Sequence, residues 1–112
     1  MRVYIAGKVS GLDRDRAELK FWSTETVLTE KGFEVINPLK LVQNQNEDWT
    51  AAMKICIAGM MQADVVYMQP DHVYSSGATI ERSIALNIGM PLFYSLDELV
   101  KYSRVVRQTE EL

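Results

Sequence analysis

Four short apolar runs, rich in β-branched and aromatic residues, alternate with longer segments of helical pattern. The runs are "RVYIAG", ended by Gly7; "FEVIN", closed by Pro38; "DVVYM"; and "MPLFY". Runs of this length and composition read as strands. Parallel strands need a crossover between them, usually a helix, so strict alternation of strand and helix predicts a parallel sheet with right-handed crossovers. "VVYM" has no polar break, which predicts a sheet covered by helices on both faces.

The intervening segments carry the helical signals. From about Asp13 to Lys31, the residues Ala17, Phe21, Thr24 and Leu28 fall on one face, and Gly32 follows as a stop. "LKLVQNQNED" reads as loop or a poorly formed helical turn. Asp48 can cap the next helix, "WTAAMKICIAGMMQA", which is apolar almost all round and broken mainly by Lys54 and Gln62. Such a helix is expected to be buried on two sides, which implies a homo-oligomer formed through Met53–Met61. "QPDHVYSS" reads as loop, "GATIERSIALNIG" as a helix stopped by Gly89, and "SLDELVKYS" as a last helix with Ser95 and Glu98 in a capping box. The chain is read as one domain, residues 1–112, with a frayed tail over about 104–112. The fold class is α/β: a three-layer α/β/α, Rossmann-like (flavodoxin-like) parallel sheet of about four to five strands.

Composition limits what such a domain can do. The net charge of -3 argues against an extended nucleic-acid partner and leaves room for a small ligand. One cysteine and one histidine exclude an internal disulfide framework and make a poor ligand set, so no metal or other cofactor is expected. The apolar run at the N-terminus is too short for a signal peptide and no segment is long enough for a membrane span. The chain is read as cytoplasmic, with no membrane partner.

Open parallel sheets bind ligands beyond the carboxyl ends of their strands, where strand order reverses. The first and third strands run into glycine-bearing loops, "AGKVSG" and "QPDHVYSSG". In the first, Gly7 and Gly11 bracket Lys8 and Ser10. Their small size lets backbone N–H groups approach a phosphate, with Lys8, Arg14 and Arg16 as nearby charge. A tight turn into a helix accounts for the same residues. In the second loop, Ser75, Ser76 and Gly77 precede a helix whose open N–H groups can hold an anion. Ser76 acting simply as N-cap explains that pattern equally.

Glu81 lies about one turn into this helix. Ile84, Ala85 and Ile88 follow it at i+3, i+4 and i+7, which places Glu81 on the inward stripe. An acid that merely complements the helix dipole would face water instead. A semi-buried carboxylate beside a phosphate cradle can attack the anomeric carbon of a sugar, with the phosphate positioning the substrate. A second acid would protonate the leaving base or activate water.

In these residues the sequence resembles the nucleoside 2-deoxyribosyltransferase-like superfamily. It is most similar to its small phage and bacterial DUF4406-type members, and also to the 2'-deoxynucleoside 5'-phosphate N-hydrolases. The likeness runs through "VYIAGKVSGLDRDR", "GFEVINP" and "ADVVYMQPDHVYSSGATIERSIALNIGMPLFY", roughly Arg2 to Tyr94. It implies that Glu81 is the nucleophile and that Gly7, Gly11, Ser75 and Gly77 surround a 5'-phosphate. It further implies that Tyr4 lines the sugar pocket and that sites lie near subunit contacts. Relatives commonly carry an acid on the second long helix, eight residues before the aspartate that opens the third strand. Here that aspartate is Asp64, and the matching position is Cys56. Asp71 is the candidate to replace the missing acid as a second catalytic group. His72 stands where relatives often carry tryptophan and is a candidate to contact a base. The expected activity is cleavage or exchange of the N-glycosidic bond of a deoxynucleoside or its 5'-monophosphate. The alternatives are a non-catalytic nucleotide- or nucleotide-sugar-binding module, and an interaction protein that uses the Met-rich helix.

Overall fold

Strand β1 (Arg2–Ala6) lies at the centre of the molecule, paired in parallel with β2 (Glu34–Ile36) on one side and β3 (Val65–Met68) on the other. Strand β4 (Leu92–Phe93) extends the sheet beyond β3, giving the order β2-β1-β3-β4 with every pair parallel. The computed structural model describes residues 1–44 and 46–111. Sheet and helices form a single-domain Rossmann-like α/β fold, and the sheet has four strands, the lower end of the expected range.

Strand pleating divides the core into two layers. Val3, Ile5, Val65 and Tyr67 face α1 (Arg14–Glu30) and α5 (Leu96–Glu111), where they pack with Ala17, Phe21, Leu28 and Leu99. Tyr4, Ala6, Val66 and Met68 face α3 (Trp49–Met60) and α4 (Ser76–Ile88), packing with Met60, Ala78 and Ala85. Fully buried side chains such as Phe21 and Leu28 each contribute roughly 1.5–3 kcal/mol by leaving water. At the start of β3, the Asp64 carboxylate accepts from the Arg2 N–H at 2.7 Å, a strand-start tie between neighbouring strands.

The caps explain the helix bounds. Asp13 and Asp48 accept from the N–H groups of Arg16 and Ala51 at the starts of α1 and α3. Gly32 and Gly89 take left-handed φ values of 91° and 80° just past α1 and α4. Four local expectations are corrected. Ser75, not Ser76, is the N-cap of α4, accepting from Ala78 N–H at 3.1 Å. The stretch after β2 opens with a short helix, α2 (Pro38–Leu41), because Asn37 caps it and proline suits its first position. The loop after β3 contains a 3-10 turn, Pro70–Tyr74. Finally, the last helix, expected to end at Ser103, extends to Glu111 as α5, with Leu99, Tyr102 and Val106 keeping one stripe against the fold.

Helix α3 buries only Met60 completely, while Trp49, Ile55 and the C-cap residue Met61 reach solvent. Ile88, assigned to the inward stripe of α4, is 57% exposed. It has the same azimuth as Glu81, seven residues earlier, so the sheet no longer lies beneath that last turn. Among the described residues, no helix is long and apolar enough to cross a membrane.

Candidate functional site

β1 and β3 stay paired to Ala6 and Met68, and beyond those carboxyl ends the chain leaves β1 for α1 on one face of the sheet and β3 for α4 on the other. A cavity of about 500 Å³ opens there. Its floor is the Tyr4–Glu81 pair. Tyr4 is fully buried and Glu81 is 5% exposed, and the Tyr4 hydroxyl donates to the Glu81 carboxylate. Burial pushes the Glu81 carboxyl up to about 7, and the hydrogen bond from Tyr4 pulls partly against that rise. Burial, reinforced by the neighbouring Glu81 charge, raises the Tyr4 phenol far above its ordinary value, so it remains a donor. Cys56 borders the same pair. Burial, then Glu81, pushes its thiol up to about 11, so it is neutral and a poor nucleophile at neutral pH.

Three more parts enclose the cavity. The start of α4 brings Ser75, Ser76 and Gly77 to the wall, with the open N–H groups of Ser76 and Gly77. The loop after β1 brings Gly7 and Ser10, and α1 brings Arg14. The third part is an apolar wall from α2 and α3, including Pro38, Leu39, Val42, Trp49 and Met53. Among the described residues, Glu81 is the only carboxylate on the wall and Arg14 the only cation. No group of three or more His, Cys, Asp or Glu that could hold a metal ion occurs among them.

The two loops are locked at the cavity edge. Lys20 Nζ donates to the Lys8 carbonyl at 2.5 Å and to Asp71 at 2.6 Å, while Asp71 accepts from Lys8 N–H at 3.1 Å. Burial raises the Asp71 carboxyl, but the hydrogen bonds from Lys20 and from Lys8 N–H outweigh it, leaving the pKa below its ordinary value. Burial lowers the Lys20 ammonium, with Asp71 opposing. Gly7 makes a close approach: a Cβ there would sit 2.0 Å from Gln69 Oε1. Gln69 is buried at the end of β3 and donates to Thr24 Oγ1 at 3.0 Å.

The fold therefore gathers Tyr4, Gly7, Ser75, Ser76, Gly77 and Glu81 around one cavity. Lys8, Gly11 and Asp71 are not on its wall. Lys8 and Asp71 join the clasp with Lys20, and Gly11 makes a turn at φ 88°. His72 packs against Tyr94, ring centroids 5.4 Å apart, and is also off the wall. Sequence reasoning missed the α2–α3 wall. Its signal was present: Trp49, Ala52, Met53 and Cys56 recur at i, i+3, i+4 and i+7, one face of a helix.

No curated protein and no solved structure matches the chain. The family described as "Domain of unknown function (DUF4406)" matches residues 1–94, and with its β-strands, cavity floor and α4 all inside that span, the chain belongs to the DUF4406 family.

Proposed function

We propose that the protein cleaves or exchanges the N-glycosidic bond of a deoxynucleoside or deoxynucleoside 5'-monophosphate, with Glu81 as nucleophile. The observation that carries this reading is the position of Glu81: a nearly inaccessible carboxylate, held by a permanent phenol donor, on the floor of a cavity that also receives the start of α4. The phosphate would sit against the N–H groups of Ser76 and Gly77, with Arg14 supplying positive charge and Gly7 room. A Glu81 oxygen attacks C1' as the C–N bond breaks, and its electron pair leaves with the base, which takes a proton from water in the open cavity. Water then attacks C1', the ester to Glu81 breaks, and the carboxylate is restored. The net change is nucleotide plus water to sugar phosphate plus free base. A second base in place of water gives exchange.

This reading is tested by base release from a panel of deoxy- and ribonucleotides. Glu81→Gln and Glu81→Ala should abolish release, and no release from the whole panel at high enzyme concentration would overturn it. The neutral thiol of Cys56 beside Glu81 favours a second reading, a nucleotide- or nucleotide-sugar-binding module without turnover. That reading predicts thermal stabilisation by a ligand, retained in Glu81→Gln, with no product. The exposed Ile55 on α3 and Met61 at its C-cap support self-association through Met53–Met61. Light scattering should show a dimer or larger species, and a clean monomer at high concentration would refute it.

A further inference from the structure

The α2–α3 wall of the cavity has a composition that the phosphate and the sugar do not use. Along one face of α3, Cys56 borders Glu81, Met53 touches the start of α4, and Trp49 stands outermost. Met53 is placed by Gly77, where an added Cβ would lie 3.0 Å from its sulfur. From Cys56 to Trp49 is seven residues, a climb of about 10 Å along the helix. Pro38, Leu39 and Val42 complete this wall. Its side chains offer one hydrogen-bonding group of note, the Trp49 indole N–H, and otherwise apolar surface. Trp49 itself is 49% exposed, which leaves ring surface free to meet something flat and partly apolar. Tyr74, the other exposed aromatic on the wall, adjoins Ser75 and so lies on the phosphate side.

We infer that Trp49 and the α2–α3 wall form the heterocycle subsite, holding an aromatic base by stacking and dispersion without reading its hydrogen-bonding edge. The inference rests on the proposed nucleotide reading and adds to it a prediction of recognition: purine and pyrimidine nucleotides bind comparably. A site that discriminates bases needs donors and acceptors aimed at their edges, because an unmatched buried polar group is what penalises the wrong ligand. Every base has a π-face, so a stacking wall is tolerant of identity.

The chain has two tryptophans, and Trp22 lies on α1, across the sheet from the cavity. In Trp22→Phe protein, indole emission therefore reports Trp49 alone. The experiment titrates that protein with 2'-deoxyadenosine 5'-monophosphate and with thymidine 5'-monophosphate, by fluorescence and calorimetry in parallel. Both nucleotides should quench emission, with dissociation constants within about fivefold of each other. Trp49→Ala should weaken both tenfold or more, and Trp49→Phe should restore most of the loss. These fold-changes follow from stacking on a single aromatic ring. Binding without quenching, unchanged affinity in Trp49→Ala, a preference beyond a hundredfold for one base, or no binding of either nucleotide would each overturn the inference. Quenching without base release would keep the subsite and refute the cleavage reading. Base release with a silent Trp49 would do the reverse.

Discussion

Replacing Glu81 with glutamine removes a charge that the fold holds away from water, and the effect on stability can be worked from the structure. Burial raises this carboxyl from 4.5 to about 7, so the folded chain binds its proton more tightly than the unfolded chain does. Below the ordinary carboxylate range both states are protonated, and the residue imposes no penalty. As pH rises through 4.5 the unfolded state ionises first, so stability falls, and the loss is complete once pH has passed about 7. The full penalty is about 3 kcal/mol at 1.36 kcal/mol per pH unit. Glutamine keeps an acceptor for the Tyr4 hydroxyl and carries no charge. Glu81→Gln should therefore be more stable than wild type by about 3 kcal/mol near pH 8, and nearly equal to it near pH 4. Urea melts of both proteins across this range supply the difference, in which the other titrating groups cancel. A constant difference across the range would refute the buried, proton-retaining floor. So would a Glu81→Gln protein less stable than wild type near pH 8.

Tyr4→Phe removes the donor that favours the ionised form of Glu81. It should cost about 1–3 kcal/mol near pH 8 and less in acid, and it should raise the pH at which Glu81 titrates, seen by difference infrared spectroscopy of the carboxylate. Gly7→Ala must displace the buried Gln69, with its Oε1 only 2.0 Å from the new Cβ, and should cost about 1–3 kcal/mol in urea melts. Gly59→Ala overlaps the tip of the exposed Leu41 side chain, which can swing away, makes ordinary contact with Ile36 and gains helix propensity, so its change should be neutral or stabilising by up to about 1 kcal/mol. Asp71→Asn removes the charge that Lys20 pairs with in the clasp. Because the Asp71 pKa is depressed in the fold, its contribution is present above the ordinary carboxylate range and lost as pH falls through the lowered value. The mutant should therefore be destabilised near neutrality and approach wild type in strong acid.

The inward turn of Glu81 could be read from Ile84 and Ala85, because helical azimuth depends only on spacing. Exposure depends also on what lies opposite, which is why the same logic failed for Ile88 at the end of α4. The unbroken apolar run of β3 predicted a sheet covered on both faces, and in the fold each residue of β1 and β3 faces the side that its parity requires. Asp71 shows a limit of another kind. Its place in a loop beside Ser75 says nothing about direction, and only the fold brings Lys20, fifty-one residues away in sequence, against it. The α2–α3 wall escaped notice because "LKLVQNQNED" looks like loop. There the Asn37 cap and Pro38 were legible, whereas the contribution of α2 to a cavity was not.

The central claim is that Glu81 forms a bond to the anomeric carbon. A nucleoside 5'-monophosphate bearing fluorine at C2' tests it, because the electron-withdrawing substituent slows breakdown of a glycosyl-enzyme through its oxocarbenium-like transition state. Intact-protein mass spectrometry should show a one-to-one adduct with the mass of the fluorinated sugar phosphate, and peptide mapping should place it on Glu81. The adduct should be absent from Glu81→Gln protein. Release of base with no adduct, or an adduct on any other residue, would contradict the account.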